Sequence, residues 1–207
     1  AVSWYESKII QIERLLGAAE SERDSAVQAA STDPLTGLFN RRGISLLTHK
    51  VLGAQMRFSH DDFSEEADQK VWIAVAVIDL DGFKSVNDTF GHAMGDTIIL
   101  LAAALLNRYF KRGTDIVSRL GGDEFLVFFV NNDDTSSIIA RLEAFREHFA
   151  TEASSILSGK ISVTASCGVK ASLISGGQID PDALIKQADT LMYQAKNGGK
   201  NRVVARL

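Results

Sequence analysis

The chain has 207 residues, 45% of them hydrophobic and 23% charged, with a net charge of −4. These values describe one globular domain of ordinary size with an element attached. They exclude a disordered chain, and they exclude a general nucleic-acid binder, which would carry a basic surplus. No apolar run approaches the ~20 residues of a membrane span. No signal peptide is visible, and a start on Ala1 rather than Met is what an excised fragment would show. The single cysteine, Cys167, lies in a β-branched run and reads as a small core residue in a reducing compartment.

Residues 4–30 lack proline, and Ile9, Ile12, Leu16, Ala19, Ala26 and Ala30 fall on the a and d positions of a heptad frame broken by Arg23. That pattern predicts a helix with a narrow apolar seam, strongest over 9–16. It fits a two-stranded coiled coil and a helix docked on its own domain equally well. Asp33-Pro34 ends the helix, because proline removes a donor and restricts the residue before it. A second helix is expected over 40–52. Residues 53–69 lack a clean period and read as an acidic solvated loop, long enough to be an insertion.

The run 71–78 is rich in valine and isoleucine and predicts a central strand. Asp96 stands where the N-cap of a helix over 97–110 belongs. Two apolar runs, 116–120 and 125–130, flank Gly121-Gly122-Asp123-Glu124, which predicts a β-hairpin. In its second arm Phe125, Val127 and Phe129 share one face while Leu126, Phe128 and Val130 share the other, so the strand is expected to be covered on both sides. A helix over 135–150 and a strand over 161–169 follow. Asp180-Pro181 forms an N-cap and N1 pair opening a helix that stops at Gly198-Gly199, and a last short strand covers 203–205. The expected fold is α+β: a mixed central sheet with helices on both faces, an α/β sandwich.

Asp79 and Asp81 fall at the C-terminal end of the buried strand, where open sheets place ligands, and two residues apart on a strand share a face. A calcium hand is excluded: counting from Asp79, the glycine is fourth rather than sixth and the twelfth residue is Phe90 rather than glutamate. Asp79 with Asp123 and Glu124 would instead gather three carboxylates that repel one another without a cation. Hard oxygen ligands with room for water and phosphate suit magnesium. A two-metal arrangement would hold ions about 3.5–4 Å apart and stabilise the attacking and leaving oxygens at phosphorus. Lys84, Lys196 and Lys200 are the basic residues available to phosphates, although Lys196 in the last turn of a helix would also simply complement its dipole. There is no Gly-x-x-x-x-Gly-Lys-Ser/Thr loop and no Gly-x-Gly-x-x-Gly fingerprint. The histidines His49, His60, His92 and His148 show no metal-ligand spacing.

From Asp33 to its end the chain resembles a GGDEF domain, the catalytic domain of diguanylate cyclases. Gly121-Gly122-Asp123-Glu124-Phe125 is the name-giving motif. Around it stand Asp33-Pro34-Leu35-Thr36-Gly37-Leu38-Phe39-Asn40-Arg41-Arg42, Asp79-Leu80-Asp81-Gly82-Phe83-Lys84 with Asn87-Asp88, and Gly91-His92 with Gly95-Asp96. Ser166-Cys167-Gly168, Ala188-Asp189, Met192-Tyr193 and Ala195-Lys196 with Gly198 and Asn201 complete the series. The resemblance divides the chain into a helical linker, 1–31, with the character of a coiled-coil segment, and a domain over 32–207 of the nucleotide-cyclase and polymerase-palm type.

What the resemblance implies is condensation of two GTP into cyclic di-GMP with release of pyrophosphate. Asp79, Asp123 and Glu124 would bind magnesium or manganese with help from the Leu80 carbonyl, and Asp123, Glu124 and Lys84 would be the catalytic group. Phe83, Asn87 and Asp96 would take the guanine side, and Lys84, Lys196 and Lys200 the phosphates. Two domains would have to face each other as a homodimer, driven by a sensor domain upstream, in the cytoplasm and either free or as part of a membrane-attached protein. Arg112-Gly113-Thr114-Asp115 ends five residues before Gly121, where the family binds its product as an inhibitor, with Arg141 or Arg146 as the further arginine. The competing reading, from another class, is a GGDEF module that binds cyclic di-GMP or GTP without turnover and passes a signal on. No nucleic-acid partner is expected.

Overall fold

The computed structural model describes residues 30–48, 71–131, 136–174 and 180–207. The heptad seam ahead of residue 30, the loop over 53–69 and the end of the helix expected over 40–52 lie outside them. Within them the elements are α1 (41–48), β1 (Val71–Asp81), α2 (Phe83–Phe90), α3 (His92–Tyr109), β2 (Ile116–Gly121), β3 (Glu124–Asn131), α4 (Ser136–Ile156), β4 (Thr164–Ile174), α5 (Pro181–Asn197) and β5 (Val203–Arg206).

Five strands form one mixed sheet in the order β2-β3-β1-β4-β5. β1 sits at its centre, antiparallel to both β3 and β4, and only β4 and β5 run parallel. The alternation read in the hairpin arm holds: Phe125, Val127 and Phe129 join one apolar cluster while Leu126, Phe128 and Val130 join the other. β1 divides the same way. Ala74, Ala76, Ile78 and Leu80 pack with Val86 of α2, Ile98 and Leu106 of α3, and Phe145 and Phe149 of α4. Ile73, Val75 and Val77 pack with Ile44 of α1 and with Leu184, Ala188 and Met192 of α5. Full burial of a large apolar side chain stabilises by about 1.5–3 kcal/mol, so the phenylalanines of β3 anchor both layers. Cys167 is a core residue, as expected, and burial pushes its thiol upward, away from reactivity.

Several local expectations change: the strand expected over 161–169 is β4, Thr164–Ile174, and the helix expected over 135–150 runs on to Ile156. α3 begins at His92 behind Gly91, whose φ of 81° turns the chain, so Asp96 lies a turn inside the helix and caps nothing. α2 is a helix that the pattern did not reveal. Eight residues offer only two turns, and its start depends on Gly82 in the left-handed region rather than on a side-chain cap. β1 extends through Asp81 rather than stopping at 78, so both aspartates lie on the strand itself. The Asp180 cap is as expected, its side chain accepting from the Asp182 N–H at 2.9 Å with Pro181 at N1.

α5 lies hard against β4. A Cβ on Gly168 would collide with the backbone of Met192 and Ala188, so only glycine lets the helix approach this closely. That approach brings the C-terminal end of α5 over the C-terminal end of β1.

Candidate functional site

Asp79 lies beside the hairpin because β1 and β3 pair in register: Asp79 faces Glu124, and the Leu80 N–H donates to the Asp123 carbonyl at 3.3 Å. Leu80 itself is buried opposite Ala165 of β4. Gly121 and Gly122 carry φ of 143° and 53°, and a Cβ on either would meet nothing within 4 Å. The turn therefore needs glycine for its backbone, and the space above it is clear for a ligand.

The Asp79 side chain is 8% exposed, and Lys196 Nζ stands 2.6 Å from its Oδ2. Burial raises the Asp79 carboxyl above the ordinary carboxylate range. Lys196 pulls it down, Asp123 and Asp81 push it up, and the outcome is a rise. Burial likewise lowers Lys196, but there the Asp79 contact prevails and the ammonium is held charged. Of the two partners Asp79 is the more deeply buried.

Among the described residues no three His, Cys, Asp or Glu side chains converge closely enough to hold an ion. Glu124 is half-exposed, and its nearest basic group is Arg41 at 4.0 Å. The donor set nevertheless fits a hard cation. Asp79 already carries one in the form of the ammonium, and the register of β1 against β3 sets Asp123 and Glu124 beside it.

Asn87 and Asp96 come from adjacent helices, α2 and α3. A Cβ on Gly95 would collide with Asn87 Oδ1 and press on the Phe83 ring, so Phe83, Asn87 and the residue preceding Asp96 meet at one crossing. Asp96 itself is exposed. Lys84 is exposed on the first turn of α2, and Lys200 is exposed just past α5 with φ of 63°.

The turn 112–115 closes on itself, the Arg112 N–H donating to Asp115 Oδ2 at 3.2 Å and the Asp115 N–H to the Arg112 carbonyl at 2.9 Å. The Arg112 residue is exposed. Asp115 is paired instead with Arg141, Nη1 to Oδ2 at 2.7 Å, and that guanidinium lies over the rings of Phe110 and Phe129 at 4.8 and 5.3 Å. Arg146 turns away to Glu143, Glu147 and Asn201. Of the two candidate arginines, Arg141 is the one brought to this turn.

Sequence reasoning missed one residue, Arg119, and offered a second as a ligand candidate. Arg119 donates from Nε and Nη2 to the Gly122 carbonyl at 3.0 and 2.8 Å and from Nη1 to both oxygens of Asp33 at 3.0 and 3.1 Å. The glycine turn is thereby latched to the segment where the domain begins. Burial tends to raise the Asp33 carboxyl, but hydrogen bonds from Thr36 and Arg119 outweigh it and leave it lowered. The available signal was a charged residue inside an otherwise apolar strand. The second is Asp81, which points not to a ligand but to Thr164, Ser166 and the Asn201 N–H.

A family profile described as "Diguanylate cyclase, GGDEF domain" matches residues 30–202. The response regulator PleD of Caulobacter vibrioides is 32% identical over 204 residues, which are 95% of this chain and 40% of that protein. Diguanylate cyclase A of Treponema denticola is 30% identical over 199 residues, 96% of this chain and 50% of that protein. The chain thus spans half or less of the length of these relatives. Among solved structures, the GGDEF domain of DgcB from Caulobacter crescentus in complex with c-di-GMP superposes with a TM-score of 0.69 at 27% identity, covering 85% of this chain and 95% of that one. With that profile matching residues 30–202, the chain belongs to the GGDEF domain family of diguanylate cyclases.

Proposed function

We propose that this domain joins two molecules of GTP into cyclic di-GMP, each 3′-hydroxyl attacking the α-phosphorus of the other nucleotide and displacing pyrophosphate. The observation that carries this reading is the placement of Asp79, a buried carboxylate met by Lys196 at 2.6 Å and in register with the glycine-acid turn. Such a carboxylate favours a further cation delivered with a triphosphate. Asp79, Asp123 and Glu124, with the Leu80 carbonyl, would hold magnesium or manganese, in a two-ion arrangement. A bound ion would supply charge neutralisation on the phosphate oxygens and polarise the attacking hydroxyl.

The remaining work falls to this chain's own groups. Asn87 offers both a donor and acceptors, and Asp96 offers acceptors; together they match a guanine edge and mismatch adenine. Phe83 backs that pocket at the α2–α3 crossing. Lys84, Lys196 and Lys200 hold phosphates, and Lys196 exchanges its Asp79 contact for the nucleotide's negative charge. Catalysis is then mostly positioning and charge stabilisation.

One domain holds one GTP, so turnover requires a homodimer with two sites facing. The segment ahead of residue 30 and a sensor upstream would control that encounter, in the cytoplasm. Product binds back at Arg112 and Asp115, with Arg141 as the second arginine. The cyclic di-GMP named in the DgcB complex supports this chemistry of ligand.

Incubation with GTP and magnesium should yield cyclic di-GMP and two pyrophosphates for each. If tightly bound cyclic di-GMP appears with no turnover at high protein concentration, the domain is a receptor rather than a cyclase.

A further inference from the structure

Asp81 lies two residues beyond Asp79 on β1, and none of the roles above uses it. Its carboxylate is buried and fully engaged. Thr164 Oγ1 donates to Oδ2 at 2.7 Å, Ser166 Oγ donates to Oδ1 and Oδ2 at 2.8 and 3.0 Å, and the main-chain N–H of Asn201 donates to Oδ2 at 3.1 Å. The two hydroxyls belong to β4, in register opposite Asp81 and Asp79. The third donor comes from the turn between α5 and β5.

That turn has an uncommon backbone. Gly199, Lys200 and Asn201 carry φ of 111°, 63° and 47° in succession. Lysine and asparagine each bear a Cβ, so consecutive left-handed conformations persist only where the surroundings hold them. The Lys200 N–H returns to the Ala195 carbonyl at 3.0 Å and the Gly199 N–H to the Lys196 carbonyl at 3.4 Å, so the turn also closes the end of α5. Arg146 Nη1 donates to Asn201 Oδ1 at 2.9 Å, steadying the side chain while Asp81 holds the main chain.

The consequence reaches the candidate site. Asp79 holds the Lys196 ammonium and Asp81 holds the backbone five residues later, both from one strand end. We propose that Asp81 is a positioning residue: by clamping the Asn201 N–H it locks the turn over 199–201 and sets Lys196 and Lys200 in place to receive the nucleotide's phosphates. This rests on the phosphate role assigned to the two lysines above. Thr164 and Ser166 orient the clamp, since a carboxylate with both oxygens bonded has one rotamer left. The paired aspartates thus divide the work, the first meeting a cation and the second fixing the basic groups that receive the phosphates.

The test is a double-mutant cycle in the full chain, with amide exchange read in parallel. Asp81→Ala should raise the KM for GTP about tenfold, the lower end of what losing a supporting hydrogen-bond partner costs a site, and change kcat less. Asp81→Asn, which keeps an acceptor for the Asn201 N–H, should recover most of that loss. In a Lys200→Ala background the Asp81→Ala change should add less than it does alone, because one of the two groups it positions is gone. Amide exchange at Asn201 should accelerate in Asp81→Ala while exchange at Leu80, which bonds the hairpin, stays unchanged. Ser166→Ala, a small change in the core, should move KM and exchange the same way to a lesser degree and serves if Asp81→Ala does not fold. Fully multiplicative KM effects, or unaltered exchange at Asn201, would overturn the assignment. A wild-type chain that neither binds nor turns over GTP would instead remove the proposed function. Exchange at Asn201 would then still decide whether Asp81 locks the turn.

Discussion

Asp79 and Asp115 are both buried, and each meets one basic side chain, Lys196 at 2.6 Å and Arg141 at 2.7 Å. The two pairs are built differently. Lys196 is a single ammonium on a flexible stem with its head at the protein edge, and it leaves the Asp79 carboxyl raised. Arg141 is a planar fork lying over two phenylalanine rings and also donating to the Tyr109 carbonyl at 3.4 Å. Its Nε is buried with no hydrogen-bond partner, so the group is held by its packing as much as by its charge. An ammonium with few contacts can be exchanged for another cation. A stacked guanidinium cannot leave without opening the core. The comparison separates a pair suited to ligand exchange from one that secures the fold beside a second candidate site.

The sharpest way to break that distinction is to neutralise each acid or its partner. Asp79→Asn should reduce cyclic di-GMP formation by more than about a hundredfold, the scale of removing a group that stabilises transition-state charge. It should not lower Tm at neutral pH. The sign follows from the raised carboxyl: a folded value above the unfolded 3.8 means the charged form is disfavoured by folding, so the stabilising state is the neutral one, present at low pH and lost as pH rises. A clear drop in Tm would make Asp79 a structural acid. Arg141→Ala should do the opposite. It leaves the 1%-exposed Asp115 carboxylate unpaired and should cost about 3 kcal/mol in urea unfolding; a loss near zero would equate the two pairs.

Arg119 falls between them, because it holds both Asp33 and the turn. Arg119→Ala should destabilise by about 1–2 kcal/mol, as expected for charge-assisted hydrogen bonds, and should also remove an acid-sensitive component. The Asp33 carboxyl is lowered on folding, so its contribution is present above its unfolded value of 3.8 and fades as pH falls through the lower folded one. Acid melts of the wild type and the variant should therefore converge; parallel curves would sink the latch. The smallest effect on stability is expected for exposed Arg112. Arg112→Ala should change unfolding by less than about 0.5 kcal/mol, while raising several-fold the cyclic di-GMP concentration needed to inhibit. Unaltered inhibition would detach this turn from product binding.

The central sheet was legible because burial on two faces leaves a trace in the chain. Phe125 to Val130 alternate between two apolar clusters, and an unbroken valine-rich run marks the strand between them. The cap at Asp180 was legible because it is a local bond with a local residue signature. α2 was not, since its start depends on Gly82 in a left-handed conformation and its length is only two turns. The start of α3 was misplaced for a related reason: Asp96 has the chemistry of a cap, but the turn is made at Gly91.

By itself the sequence determined the strands, the ordered motif series and hence the family, along with the residue types able to meet a metal, a guanine and phosphates. The strands follow from period, which chain order records directly, while the pairing of residues with metal, guanine and phosphates is what the family resemblance implies. Which acid meets which base was decided only by the tertiary structure. Lys196 reaches Asp79 because α5 presses on β4 at Gly168. Arg141 rather than Arg146 reaches Asp115 because of how α4 lies over Phe110 and Phe129. Asp81 turns from a ligand candidate into a clamp because β4 offers it two hydroxyls and the distant turn a main-chain N–H. Charge pairing depends on distance and burial, and between remote segments only packing sets either one.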